Sequence, residues 1–322
     1  MTSRFRARAV KLAVLIVGAA IILSISLKPD NEGNVHQLNE AAPLPHASND
    51  GAPLTFGIIY PMVNDTYEMV TQNAEAAASD QNIKLIVQAP DEANLEQQIR
   101  IVEMMIKQEV DGIAIDPIDS EALINVINKA VSSGIPVVCF ESDSPSSERN
   151  SFIGADNYKT GTMIGQAVDS LLGGKGMVLV QTGMPHMLGL TQRLQGFQDY
   201  VAEHTGIDIL DVRHNDGSEG DAIVQLEQMI TAHPHFSALI NLDYVSSSSS
   251  VLVWKAKGLN RYNVSLGLTP YVSQSIANGQ ITSVISQNEQ NWGQAVINTL
   301  HNLVQDKTMP EFINTEITEI TE

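Results

Sequence analysis

Between Val110 and Asp143 the chain runs through one complete strand–helix–strand unit, and that unit limits what the rest can be. Ile113 to Ile115 is a short apolar run stopped by Asp116 and Pro117, the pattern of a strand covered on both faces. Leu123, Ile124, Val126, Ile127, Ala130 and Val131 then recur at helical spacing and give one apolar face. Asp119 or Ser120 is expected to cap the start of this helix, and Gly134-Ile135-Pro136 to end it. Val137 to Phe140 is a second apolar strand, halted at Glu141. A crossover of this kind belongs to a parallel sheet, whose ligands sit beyond the carboxyl ends of the strands. Asp116 and Glu141 occupy those ends.

The same alternation continues on both sides. Strands are predicted at Thr55–Tyr60, Ile83–Val87, Met177–Gln181, Ile207–Val212, Ala238–Leu242, Val264–Leu268 and Ile281–Ser286. Helical patterns separate them, among them Thr66–Ala78 and Leu95–Lys107. The fold class is therefore α/β with parallel sheets, and 322 residues at 43% hydrophobic content hold too many units for one sheet. Two lobes are expected.

Charge and cysteine usage exclude some functions. A formal net charge of −19 disfavours nucleic-acid binding, because phosphate contacts need clustered Lys and Arg. Cys139 is the single cysteine, so neither an intrachain disulfide nor a thiolate metal cage is possible. No metal and no cofactor is expected. His36 and His46 lack ligand spacing around them, and His233-Pro234-His235 reads as a turn between helix and strand. Gly173-Gly174-Lys175-Gly176 precedes a strand and lacks the Ser or Thr of a phosphate loop, so it also reads as a turn. There is no Gly-x-Ser-x-Gly elbow and no His-Glu-x-x-His, and an enzyme is not expected.

The amino terminus has its own character. Arg4, Arg6, Arg8 and Lys11 precede an uncharged run from Leu12 to Leu27, closed by Lys28. Residues 1–28 are expected to anchor the chain with the remainder outside the cytoplasm, the positive head staying in. Cleavage near Ser24-Ile25-Ser26 is the alternative, making the segment a signal peptide. Residues 29–53 are polar and aperiodic and read as a tether.

From Leu54 to about Thr315 the chain resembles the type I periplasmic binding proteins, in the branch of the ribose- and galactose-binding proteins. The segments that carry the resemblance follow in order. They are Tyr60 to Tyr67, Val110-Asp-Gly-Ile-Ala-Ile-Asp-Pro-Ile-Asp, Gly134-Ile-Pro-Val-Val, Ile153-Gly-Ala-Asp-Asn, Gln192-Arg-Leu-Gln-Gly-Phe, Thr231-Ala-His-Pro, Ala277-Asn-Gly-Gln-Ile and Ile285-Ser-Gln. The resemblance implies discontinuous lobes, 54–155 plus 288–315 and 156–287 plus 316–322, crossed near Asp156, Gln287 and Thr315.

It also implies a sugar cleft, in which carboxylates and amides each engage ligand hydroxyls. Carried over position by position, Asp65 is similar to the Asn of the first loop, and Tyr67 to the aromatic after it. Glu141 stands for the Asp that ends the fourth strand. Ser142 and Thr191 replace two arginines, while Arg193 matches a third. Gly217 replaces an aromatic, Asp243 stands for an Asn, Thr269 marks a lost Asp, and Gln287 is retained. The serine run Ser246–Ser250 is a further candidate, with Trp254 and Trp292 expected to pack in the core. With two arginines gone and the carboxylates kept, the expected ligand is rich in hydroxyl donors or carries an amine, as an amino sugar does. Expected partners are this small molecule and a membrane protein, an ABC permease or a sensor histidine kinase. A monomer is expected. The rival reading is a ligand-free scaffold with a decayed pocket.

Overall fold

A computed structural model describes residues 52–321. The basic head, the Leu12–Leu27 run and the tether with His36 and His46 lie outside the described residues. Among the described residues, no helix is long and apolar enough to cross a membrane.

The first lobe opens with β1 (Thr55–Ile59), α1 (Asp65–Asp80), β2 (Lys84–Gln88), α2 (Leu95–Lys107), β3 (Gly112–Ile115), α3 (Ile124–Ser132), β4 (Val137–Phe140) and β5 (Ser151–Gly154). The second runs through α4 (Asn157–Leu172), β6 (Lys175–Thr182), α5 (Leu188–His204), β7 (Gly206–His214), α6 (Glu219–Ala232), β8 (Ala238–Asn241), α7 (Tyr244–Lys257), β9 (Tyr262–Leu266), α8 (Pro270–Ala277) and β10 (Ser283–Ser286). A 3-10 turn (Glu289–Asn291) leads to α9 (Trp292–Val304), which packs back on α1 and the first sheet. Two short strands, β11 (Phe312–Asn314) and β12 (Thr318–Ile320), finish the chain.

The sheets have matching orders, β11-β5-β4-β3-β1-β2 and β12-β10-β9-β8-β6-β7. Every pairing is parallel except that of β12 with β10. The chain passes from one sheet to the other after β5, after β10 and after β11. All residues of β3 and β4 are buried, as their unbroken apolar runs require of central strands.

Local signals explain the element ends that matter for the cleft. Asn64 caps α1 by accepting from the Tyr67 amide at 2.9 Å. Asp119 does not cap α3 directly. Its Oδ1 accepts from the amides of Glu121 and Ala122 at 3.0 and 2.9 Å, holding a turn that runs into the helix at Ile124. Gly173, at φ +64°, ends α4, and with Gly174 it turns the chain into β6 at Lys175, so the Gly173–Gly176 stretch is a helix-to-strand junction.

Helices α4 and α5 approach so closely that only glycine fits between them. A Cβ on Gly161 would stand 1.9 Å from the Arg193 carbonyl oxygen, and one on Gly196 would stand 2.0 Å from that of Tyr158. Both obstacles are backbone atoms. This packing fixes where Arg193 enters the interior.

Candidate functional site

The carboxyl ends of the two sheets face each other across a closed seam. At the seam, Ser120 donates its amide to the His186 carbonyl at 3.3 Å, and its hydroxyl accepts from the Leu188 amide at 3.2 Å. The Ser142 hydroxyl accepts from the Gly189 amide at 3.0 Å. These bonds tie the loops after β3 and β4 to the start of α5.

Behind the seam lies a buried polar network centred on Arg193. Its Nη2 donates to Glu141 Oε1 at 2.9 Å, to Asn157 Oδ1 at 2.5 Å and to Gln287 Oε1 at 3.3 Å. Its Nη1 donates to the Leu242 carbonyl at 2.7 Å. Gln287 in turn donates to Asn157 Oδ1 at 2.7 Å and to Thr160 Oγ1 at 2.9 Å, while Tyr244 donates to Gln287 Oε1 at 3.3 Å. Asn157 returns its own amide to the Glu141 carbonyl at 3.0 Å. The network therefore draws on both lobes and on two of the crossings. An isolated buried charge would be costly; here each is paired and hydrogen-bonded.

Glu141 is the strained member. Its φ of +59° lies in the left-handed region, which a side chain other than glycine adopts only when its surroundings force it. Asp116 lies nearby and accepts from the Tyr67 hydroxyl at 2.6 Å. Burial first, and the Glu141 charge second, hold the Asp116 carboxyl well above the usual carboxylate range. Tyr67 and Arg193 pull it down but do not prevail. Burial likewise raises the hydroxyls of Tyr67 and Tyr244 well above the ordinary tyrosine value.

In front of this network is a cavity of about 20 Å³, room for roughly one water molecule. The first lobe lines it with Met62, Asn64, Tyr67 and Glu141. The second contributes Met184, Met187, Leu190, Tyr244, Val245 and Asp243, with Gly183 and Gly217. A wider chamber of about 310 Å³ opens at the rim, where Asp65, Glu68 and Glu219 face solvent. The two spaces share Asn64, Gly217, Tyr244 and Val245.

The eight residues named from the sequence divide accordingly. Tyr67, Glu141 and Asp243 line the inner cavity. Arg193 and Gln287 are fully buried behind it. Ser142 closes the seam. Asp65 is exposed at the rim, and the polar residue of its loop that lines the cavity is Asn64, one position earlier. Thr191 is exposed, with its hydroxyl donating to the Met187 and Leu188 carbonyls at 3.1 and 3.0 Å, so it points back onto its own helix.

The expectation that the carboxylates lack a cation is corrected. Arg193 enters from the opposite lobe and pairs with Glu141, which removes that carboxylate's need for an amine on the ligand, while Asp243 is held by Asn215 and Ser246. The serine run is also largely self-satisfied. Ser246 bonds to Asp243, Ser247 to the Asp243 and Leu266 carbonyls, and Ser250 to the Ser247 carbonyl. Trp254 and Trp292 are buried packing residues.

Several site residues escaped the sequence reading. Asn64 had a signal, since an Asn immediately before a helix is a preferred cap. Asn157 stood inside the quoted Ile153–Asn157 segment without a role. Met62, Met184 and Met187 carried no signal at all, because apolar residues in loops look alike before the lobes meet.

Comparison with known proteins agrees with this architecture. Residues 56–308 match the family model described as a periplasmic binding protein domain. The D-ribose/D-allose-binding protein of Pseudomonas aeruginosa is 30% identical over 158 residues, which cover 47% of this chain and 49% of that protein. The ribose import binding protein RbsB of Bacillus subtilis is 23% identical over 197 residues, covering 61% and 63%. The matched stretches thus span about half of the first relative and under two thirds of the second. A solved solute-binding protein of an ABC transporter from Burkholderia graminis, in complex with D-arabinose, superposes with a TM-score of 0.80 at 23% identity. It covers 84% of this chain and 96% of that one, a likeness of fold. By the extent of its match, this chain belongs to the periplasmic binding protein domain family.

Proposed function

We propose that the protein is an extracytoplasmic solute-binding protein that closes its two lobes around a small sugar and presents it to an ABC-type permease. The observation that carries this reading is Glu141. It is held in a strained backbone at the lobe boundary, is bonded across it to Arg193, lines the inner cavity, and has a second oxygen that is buried without a partner. A residue placed this way senses both the ligand and the closure. The crossings after β5, β10 and β11 serve as the hinge, bounding lobes 54–155 plus 288–315 and 156–287 plus 316–322. The work done is binding and release rather than bond chemistry.

Family membership supports a location outside the cytoplasm. The basic head and the Leu12–Leu27 run hold the protein, as a single copy, at the outer face of the membrane. So tethered, its closed shape is read by a permease or by a sensor kinase. N-terminal sequencing of the membrane fraction tests the tether. A soluble product beginning near Leu27 contradicts it.

One observation favours the alternative of a ligand-free scaffold, namely that the inner cavity holds only about 20 Å³. A thermal-shift screen of the full chain against pentoses and hexoses separates the two. A sugar present at 100 times its Kd stabilises the folded state by about 2.7 kcal/mol. A screen without any shift at millimolar sugar contradicts the binding reading.

A further inference from the structure

The cavity's free polar atoms are few, and their chemistry limits the ligand. Both Asp243 oxygens accept from Asn215 Nδ2 at 3.2 Å, and one also accepts from the Ser246 amide at 3.0 Å. The Tyr67 and Tyr244 hydroxyls are spent on Asp116 and Gln287. Two buried atoms among the lining residues have no partner, Glu141 Oε2 and Asn64 Nδ2. One accepts and the other donates. The facing wall is Met184, Met187 and Leu190, which offers no conventional hydrogen bond.

Resting on the sugar-binding reading above, we infer that the site selects a monosaccharide lacking one or more hydroxyls, a deoxy sugar, over its fully hydroxylated counterpart. One ligand hydroxyl donates to Glu141 Oε2, and one ligand oxygen accepts from Asn64 Nδ2. The deoxygenated edge lies against the methionines and Leu190. A hydroxyl pressed on that wall gives up water and gains no partner, which weakens binding about tenfold for each one stranded. The ring enters while the lobes stand apart, and the unbranched methionine side chains then repack around it more readily than other apolar residues would.

The test is calorimetric titration of the full chain with two matched pairs, 2-deoxy-D-ribose against D-ribose and D-fucose against D-galactose. The deoxy member is expected to bind at least about tenfold tighter in one pair or both. Met184→Gln, nearly equal in volume but able to hydrogen-bond, narrows or reverses that ratio, and Met187→Gln serves if the first variant melts early. If the fully hydroxylated sugar binds tighter in both pairs, the inference fails while the solute-binding reading stands. If none of the four sugars binds, and no other pentose or hexose does, both fall.

Discussion

Arg193 of α5 and Glu141 at the end of β4 meet at 2.9 Å across the lobe boundary, with side-chain exposures of 0% and 1%. Among the described residues neither has another charged partner in contact, so each is the other's one counter-charge in the interior. The pair is thus both a structural joint and the back wall of the cleft.

Removing one half of this pair should cost far more than removing both. Arg193→Met leaves Glu141 buried without a counter-charge and is expected to lower stability by about 3–5 kcal/mol. Adding Glu141→Gln to the same chain should recover a large part of the loss, because the uncompensated charge goes with it. Urea unfolding of the parent, the single and the double variant measures this. Equal losses in single and double variants would contradict the pairing.

Asp116 sets a pH dependence of defined sign. Its carboxyl is raised above its unfolded value of about 4, so the folded protein keeps a proton that the unfolded chain has released. The stability that proton brings is complete below the unfolded value and is lost as pH rises toward the raised folded one. The surrounding groups are Glu141, which opposes ionisation, and Tyr67 and Arg193, which favour it. Asp116→Asn keeps the shape and cannot ionise. Its Tm relative to the parent is therefore expected to climb as pH goes from about 4 to 8, read by thermal melting in buffers of equal ionic strength. A constant difference across that range would contradict the shift.

The glycines between α4 and α5 make a third test. Gly161→Ala drives a methyl into the Arg193 carbonyl and must push α5 away, carrying the guanidinium with it. Overpacking of this kind costs about 1–3 kcal/mol, and sugar affinity should fall as well. Gly220→Ala is the control. Its nearest neighbour would be 3.8 Å away, in the first turn of α6, and alanine there should hold or raise stability by up to about 1 kcal/mol.

The limits of the sequence reading follow from where the information lies. Leu95–Lys107 and Val137–Phe140 were found with their bounds intact, because burial on one face or on both writes a period into the residues. β5 was seen only as part of a motif, since Ser151 and Gly154 leave it two apolar side chains where β4 has an unbroken apolar run. β11 and β12 are three residues each and largely exposed; their pairing with a distant strand holds them. In the cleft, Glu141, Arg193 and Gln287 were legible as polar residues in places the family uses. What joins them was not. Arg193 meets Gln287 across 94 residues of sequence, and Asn157 meets Gln287 across 130, so only closure decides those partners. Asp65 and Thr191 failed to reach the inner cavity for a local reason, the rotation of the first turn of a helix, which no alignment of residue types records.

The claim that matters most is that the lobes close on a sugar. Gly217 of the second lobe stands against the first, where an added Cβ would be 3.2 Å from that of Ala93, so spin labels nearby report the gap. Glu92→Cys and Val224→Cys are both exposed positions, one on each lobe, and the native Cys139 is buried and left unlabelled. Electron–electron double resonance on the full chain, with and without the tightest sugar of the four probes, measures the separation directly. The account predicts that the sugar narrows the distance distribution and moves it to shorter values, and that Arg193→Met weakens this response. A bound sugar that leaves the distribution unchanged would contradict it.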